Sequence, residues 1–276
     1  MPVTDAARPL ILLTNDDGIR SPGLWAAAEA LSAVGYVTVA APREQSTGTG
    51  RSMPITSDGA IHEEQVTVGG KTWKVYAVGG TPAQAVQHAI FELTPRKPDL
   101  IVAGINYGEN LTTGISISGT VGAALEGAAF GIPSLAVSQE TDSSYFLSYS
   151  DAIDFRVAAH FTAYFARLWL AWDGMPDVDV LDINVPLGAT PETPWRITRL
   201  SHRTYYVPIA PTRDRLDQPG RVGYQVRMPE TPEEDSDVHA LRIDRVVSVT
   251  PLSLDLTSRV DPQDLTLRLQ RLPGGG

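Results

Sequence analysis

The feature that most restricts the fold of this chain is a repeated alternation of two kinds of segment. Short apolar runs rich in β-branched residues recur at LILLT (10–14), YVTVAAP (36–42), DLIVAGIN (99–106), IPSLAVS (132–138) and VDVLDINVP (178–186). Between them lie segments with helical composition: PGLWAAAEALSAVG (22–35), TPAQAVQHAIFEL (81–93), SGTVGAALEGAAFG (118–131) and Ala152 to Trp172. Pro22 suits a first helical position, Gly35 a helix stop, and Thr81-Pro82 a cap followed by a first turn. Nearly continuous apolar strands alternating with helices are the pattern of a sheet buried on both faces, because a strand covered on one side only would alternate apolar with polar residues. The expected fold class is therefore α/β, a Rossmann-like three-layer parallel sheet with helices on both faces.

Two segments depart from the pattern. Between Met53 and Val78 the residues alternate and turn at Asp58-Gly59 and Gly69-Gly70, which predicts a β-hairpin excursion near 53–78 within a catalytic core of residues 1–190. Beyond Pro186 the chain is strand-like and rich in Pro and Gly. Residues 191–276 are expected to form a C-terminal extension, with Trp195 to Asp237 a β-hairpin arm used in oligomerisation and LPGGG a tail. The arm lacks an apolar pattern sufficient to fold alone, so it would pack on the core and on a neighbouring subunit.

Composition removes several classes of function. The 22 Lys and Arg residues against 32 Asp and Glu leave a formal charge of −10, so a polymeric nucleic acid is not an expected partner. There is no cysteine, which leaves only oxygen and imidazole ligands for any metal. No run approaches the roughly 18 apolar residues of a membrane span, and Met1 to Arg8 lack a signal-peptide core, so no membrane partner and a cytoplasmic location are expected. None of His62, His88, His160, His202 and His239 lies in a strand-end loop of the core, which gives a phosphohistidine or His-ligated centre little support. The loop after the first strand is acidic where a dinucleotide-binding fold needs G-x-G-x-x-G, and GTGRS lacks the P-loop spacing.

In open α/β sheets ligands bind beyond the carboxyl ends of the strands, and here those loops are rich in oxygen donors. The first strand ends in Asn15-Asp16-Asp17-Gly18, where a turn at glycine would let both carboxylates approach one point. Their repulsion is relieved by a hard divalent cation, which favours carboxylate, carbonyl, hydroxyl and water oxygens. An isolated DDG has a second reading, in which one Asp caps the next helix and the other is solvated. The second strand leads into APREQSTGTGRS, a supply of hydroxyls, and the third into GINYGENLTTGISISGT, which offers Asn106, Asn110 and a helix start at Ser118-Gly119-Thr120. That helix start is either an ordinary N-cap or a phosphate cradle. Carboxylates for a metal beside a cradle for an anion imply a phosphate ester.

The segments ILLTNDDGIRSPG, VAPREQSTGTGRS, GGTPAQAV, GINYGEN, SGTVGAALEGAAFGIPSLAVS and VVSVTPL, in this order, resemble the SurE family of metal-dependent 5'/3'-nucleotidases, strongly from about Leu10 to Ser138 and weakly to about Asp255. The resemblance implies hydrolysis of nucleoside 5'-monophosphates, and of 3'-monophosphates, to nucleoside and phosphate. It also implies one divalent cation per subunit, Mn²⁺ or Mg²⁺, a cytoplasmic location and a homodimer or homotetramer. Carried over by motif, the metal ligands are Asp16, Asp17, a hydroxyl from the second loop and Asn106. The family's serine position falls on Thr47, with Ser46 beside it in reserve. Asp16 and Asp17 are then the catalytic pair, one of them accepting the proton of the attacking water, while Asn15, Ser118, Gly119 and Thr120 bind phosphate and Asn110 shapes the loop.

Two departures from the family pattern accompany this assignment. Gln84-Ala85 replace a usual Asp-Cys pair, an exchange read as having no catalytic meaning, and Gly114 replaces an acid that commonly precedes Ser-Gly-Thr. With Thr47 and Gly114 both altered, a non-catalytic nucleotide-binding stress protein is the alternative to an enzyme. The polar stretch Gln139 to Ser150, with Tyr145 and Phe146, is a candidate lid over the nucleobase.

Overall fold

The computed structural model describes residues 8–142, 145, 150 and 152–272. Its centre is β1 (Leu10–Thr14), every residue of which is buried. On one side β1 pairs in parallel with β2 (Tyr36–Pro42) and on the other with β5 (Leu100–Tyr107). Outward from β2 lie β4 (Lys71–Val78) and the edge strand β3 (Ile61–Val68); outward from β5 lie β6 (Ser134–Gln139), β7 (Val180–Val185), β11 (Val247–Leu252) and β8 (Trp195–Ile197). The sheet of nine strands is mostly parallel, with antiparallel pairing of β3 to β4 and of β11 to β7. Two elements from beyond residue 190, β8 and β11, thus complete the same sheet as the core. A separate antiparallel ribbon joins β9 (Tyr206–Ile209) to β10 (Gly223–Val226).

The period of two along each strand sorts the core into two layers. Ile11, Leu13, Val39 and Val102 face α1 (Pro22–Leu31) and α4 (Arg156–Ala171), where Leu24, Trp25, Phe161 and Phe165 fill the space. Leu12, Ala40, Ile101 and Ala103 face the opposite way, onto Val86 of α2 (Pro82–His88) and Val121 and Ala124 of α3 (Gly119–Ala129). The small residues of α3 let it approach the strands closely, and nine of its eleven residues are buried. Burial of these layers supplies the main drive to fold, at about 25 cal/mol per Å² of apolar surface.

The substitution of Gln84 has a local structural account. Thr81 and Gln84 form a capping box at the start of α2: the Thr81 side chain accepts from the Gln84 N–H, and Gln84 Oε1 accepts from the Thr81 N–H at 3.0 Å. Two short helices not anticipated from the sequence, α5 (Asp237–Arg242) and α6 (Pro262–Gln270), follow the ribbon, and α6 is exposed along its whole length.

The order β2-β1-β5 is what positions the site. After β1 the chain first builds outward on one side, then returns to build on the other. The loops leaving β1 and β5 therefore diverge, and the crevice between them is where this sheet topology places ligands.

Candidate functional site

Asp16 and Asp17 leave the end of β1 into that crevice and are almost wholly buried, at 3% and 2% exposure. Asn15 closes the turn beneath them: its Nδ2 donates to Gly18 O at 3.0 Å, and its Oδ1 accepts from the Gly18 N–H at 3.1 Å. The amide expected to meet phosphate is thus engaged within its own loop.

The two carboxylates are held differently. Asp16 faces the N-terminus of α3. Its Oδ1 accepts from Thr120 Oγ1 at 2.5 Å, and a Cβ added at Gly119 would lie 2.7 Å from Asp16 Cβ, so only glycine allows this approach. Asp17 is turned toward β5, with Oδ2 accepting from the Tyr107 N–H at 3.2 Å and Oδ1 from Gln45 Nε2 at 3.3 Å. Burial pushes both carboxyls above their ordinary range. For Asp16 the Thr120 hydroxyl and nearby backbone N–H groups offset part of that rise, whereas for Asp17 the charge of Asp16 adds to it.

A cavity of about 340 Å³ opens beside Asp16. Among the expected ligands it is lined by Asp16, Thr47 and Asn106, and among the expected phosphate contacts by Ser118. Thr47 is exposed there, while Ser46 is drawn back: its N–H donates to Asp16 O at 2.7 Å and its Oγ to Glu44 O at 3.4 Å. Asn106 donates through Nδ2 to Gly108 O at 2.8 Å, which leaves Oδ1 as its acceptor toward the cavity. Asn15, Asp17, Gly119 and Thr120 are not on the cavity wall, and Thr120 acts on it through Asp16. Ser118 caps α3 by accepting from the Val121 N–H at 3.1 Å. The donor set is two carboxylates with neutral oxygens, and among the described residues no group of three His, Cys, Asp or Glu side chains is placed to hold a metal. A hard cation with few protein ligands suits such a set.

The loop after β5 is fixed from distant parts of the chain. Asn110 and Asn184 exchange hydrogen bonds, with the Asn110 N–H donating to Asn184 Oδ1 at 2.8 Å and Asn184 Nδ2 to Asn110 O at 3.0 Å. Asn110 also donates to Ser138 Oγ at 2.8 Å, so it does shape its loop. Glu109, unremarked in the sequence, accepts from the Tyr205 hydroxyl at 2.6 Å through Oε1. Its backbone oxygen accepts from the Tyr206 hydroxyl at 2.6 Å. Asp237 of α5 accepts from the Thr112 N–H at 2.6 Å. No local signal marks these partners, since they lie about a hundred residues from the loop they hold. Half of the candidate lid, residues 143, 144 and 146–149 with Phe146 among them, falls outside the described residues; Tyr145 packs against the α1 and α4 layer of the core.

The fold and the site together define an α/β protein with a cavity at the switch point of its sheet, where the Asp16 carboxylate and the neutral oxygens of Thr47 and Asn106 meet apolar side chains. A family model described as survival protein SurE matches residues 11–207. Relatives named 5'-nucleotidase SurE include those of Thermococcus gammatolerans, 44% identical over 92% of this chain and 94% of the relative, and Archaeoglobus fulgidus, 45% identical over 91% and 94%. A crystal structure of the SurE protein from Aquifex aeolicus superposes with a TM-score of 0.71 at 32% identity, covering 95% of this chain and 98% of that one. The chain belongs to the SurE family.

Proposed function

We propose that this protein is a divalent-metal-dependent 5'-nucleotidase, acting also on 3'-monophosphates. The observation that carries the reading is the pair of adjacent buried carboxylates, Asp16 and Asp17, with Asp16 on the wall of a cavity to which Thr47 and Asn106 also offer neutral oxygens. Two buried like charges are costly unless a positive charge accompanies them. The activity is that for which the relatives in Thermococcus gammatolerans and Archaeoglobus fulgidus are named.

Asp16, Asp17, Thr47 and Asn106 would hold one Mn²⁺ or Mg²⁺ per subunit. Such an ion, when bound, neutralises phosphoryl charge and lowers the pKa of an attacking water. The protein's own part is positioning. Thr120 and the Tyr107 N–H fix the two carboxylates, and one of the pair also accepts the water's proton. Ser118 and the first turn of α3 receive the phosphate anion. Thr47 keeps a hydroxyl on the cavity wall, which supports an enzyme over a binding protein.

The resemblance also carries a cytoplasmic location and a homodimer or homotetramer. No helix among the described residues is long and apolar enough to cross a membrane. Leu265, Leu267 and Leu269 on the exposed α6 support a subunit contact.

The test is phosphate release from a panel of 5'- and 3'-nucleoside monophosphates by the wild-type protein and Asp16→Asn, with Mn²⁺, Mg²⁺ and chelator. Release that needs metal and is lost in a folded Asp16→Asn is the expected result. Turnover in chelator, or near-normal turnover by the variant, would overturn it.

A further inference from the structure

The cavity beside Asp16 has a second wall that the catalytic reading does not use. Opposite the carboxylate end stands the β9–β10 ribbon. Its register pairs Tyr224 with Pro208 and Val226 with Tyr206, so by the period of two Tyr206, Pro208, Val222 and Tyr224 share one face. All four of those residues line the cavity.

The two tyrosines are unequal. Tyr206 is anchored: its hydroxyl donates to Glu109 O at 2.6 Å, and its ring lies against the backbone of Gly114, where an added Cβ would be 2.6 Å from Cδ2. The position where the family commonly has an acid is therefore filled by the edge of an aromatic ring. Tyr224 meets Tyr206 edge to face, with centroids 5.9 Å apart at 87°, yet remains 52% exposed. An exposed ring held upright by a fixed one, in a cavity that also contains a carboxylate site, is built to receive a flat apolar group.

We propose that Tyr224, braced by Tyr206 over Gly114, is the platform on which the base of the nucleoside monophosphate stacks, making it a specificity-determining residue for nucleotides over base-free sugar phosphates. This rests on the nucleotidase reading for its substrate. The cavity volume of about 340 Å³ lies within the range of small-ligand sites. Stacking of a base on an aromatic side chain is worth about 1–3 kcal/mol, or roughly 5- to 150-fold in affinity.

The test separates the platform from the chemistry by using adenosine, the product, which binds without turnover. Calorimetric titration of adenosine and of ribose is made into wild type, Tyr224→Ala and Tyr224→Phe, and phosphate release from AMP and ribose 5-phosphate is followed in parallel. Adenosine affinity is expected to fall about fivefold or more in Tyr224→Ala and to be retained in Tyr224→Phe. Ribose should bind each protein equally weakly, and kcat/KM should fall for AMP, through KM, more than for ribose 5-phosphate. Adenosine that fails to bind wild type, or binds Tyr224→Ala as tightly, overturns the platform, as does an equal loss on both esters. Tyr224-dependent adenosine binding by a protein that releases no phosphate would leave the platform standing and remove the nucleotidase reading instead.

Discussion

Thr120 Oγ1 donates to Asp16 Oδ1 at 2.5 Å across 104 residues of chain, joining the first turn of α3 to the end of β1. The bond fixes the rotamer of a carboxylate that has lost its water, and it partly offsets the rise that burial imposes on the Asp16 pKa. Thr120→Val keeps the shape and deletes the donor. A hydrogen bond to a charged group contributes about 1.5–3 kcal/mol, so kcat/KM for AMP should fall roughly ten- to hundredfold, with weaker Mn²⁺ affinity by calorimetry. Unaltered kinetics in this variant would mean that α3 does not organise the site.

The two candidate hydroxyls make opposite predictions. Thr47 faces the cavity, whereas Ser46 bonds within its own loop and meets Asp16 through its backbone N–H. Thr47→Val should reduce metal-supported turnover at least about tenfold, the scale of one lost charged-group interaction. Thr47→Ser should restore most of it, and Ser46→Ala should change little because the backbone bond survives. The reverse ranking would move the ligand to Ser46.

Restoring the family's acid at position 114 should harm the protein. A side chain there meets Tyr206 Cδ2 and Cε2 at 2.6 and 2.8 Å, and overpacking of this kind costs about 1–3 kcal/mol. Gly114→Ala and Tyr206→Ala should each lower the denaturation midpoint, while the double variant should lose less than the sum, since the clash disappears with the ring. Strict additivity in the double-mutant cycle would show that the two residues do not meet.

Asp182 gives a pH dependence remote from the proposed ligands. It is fully buried in β7, its Oδ1 has no partner among the described residues, and burial, with the charge of Asp237, holds its pKa well above 3.8. The folded state then binds the proton more tightly than the unfolded one, so stability declines as pH rises above about 4 toward the folded pKa. Glu109 and Asp237 shift the same way, so the readout is a difference between proteins. Chemical denaturation in chelator from pH 5 to 8 should show a shallower decline for Asp182→Asn than for wild type. Each unit of raised pKa corresponds to about 1.4 kcal/mol. Parallel curves would mean that Asp182 titrates normally.

Much of the architecture was legible because its causes are local. Apolar runs that alternate with helical segments announce a sheet buried on both faces, and carboxylates following the first run fall where a parallel sheet binds ligands. The sequence by itself determined the α/β class, the acidic loop at Asp16 and Asp17, the hydroxyl-rich loop around Thr47 and a helix start at Ser118. All of these depend on neighbours a few positions away.

Only the tertiary structure decided the rest. It turned Asn15 inward onto Gly18, set Thr47 rather than Ser46 on the cavity, and assigned Thr120 to Asp16. It also brought the ribbon tyrosines to the loop after β5 and linked Glu109 to Tyr205. The segment Trp195 to Asp237 is expected to be an oligomerisation arm because it lacks an apolar pattern sufficient to fold alone, and only the tertiary structure puts its Tyr206 and Tyr224 on the cavity wall. Contacts between residues about a hundred positions apart leave no periodicity in one chain, since each partner satisfies its own local pattern equally well with or without the other. Their pairing exists only once the sheet order β2-β1-β5 has opened the crevice they share.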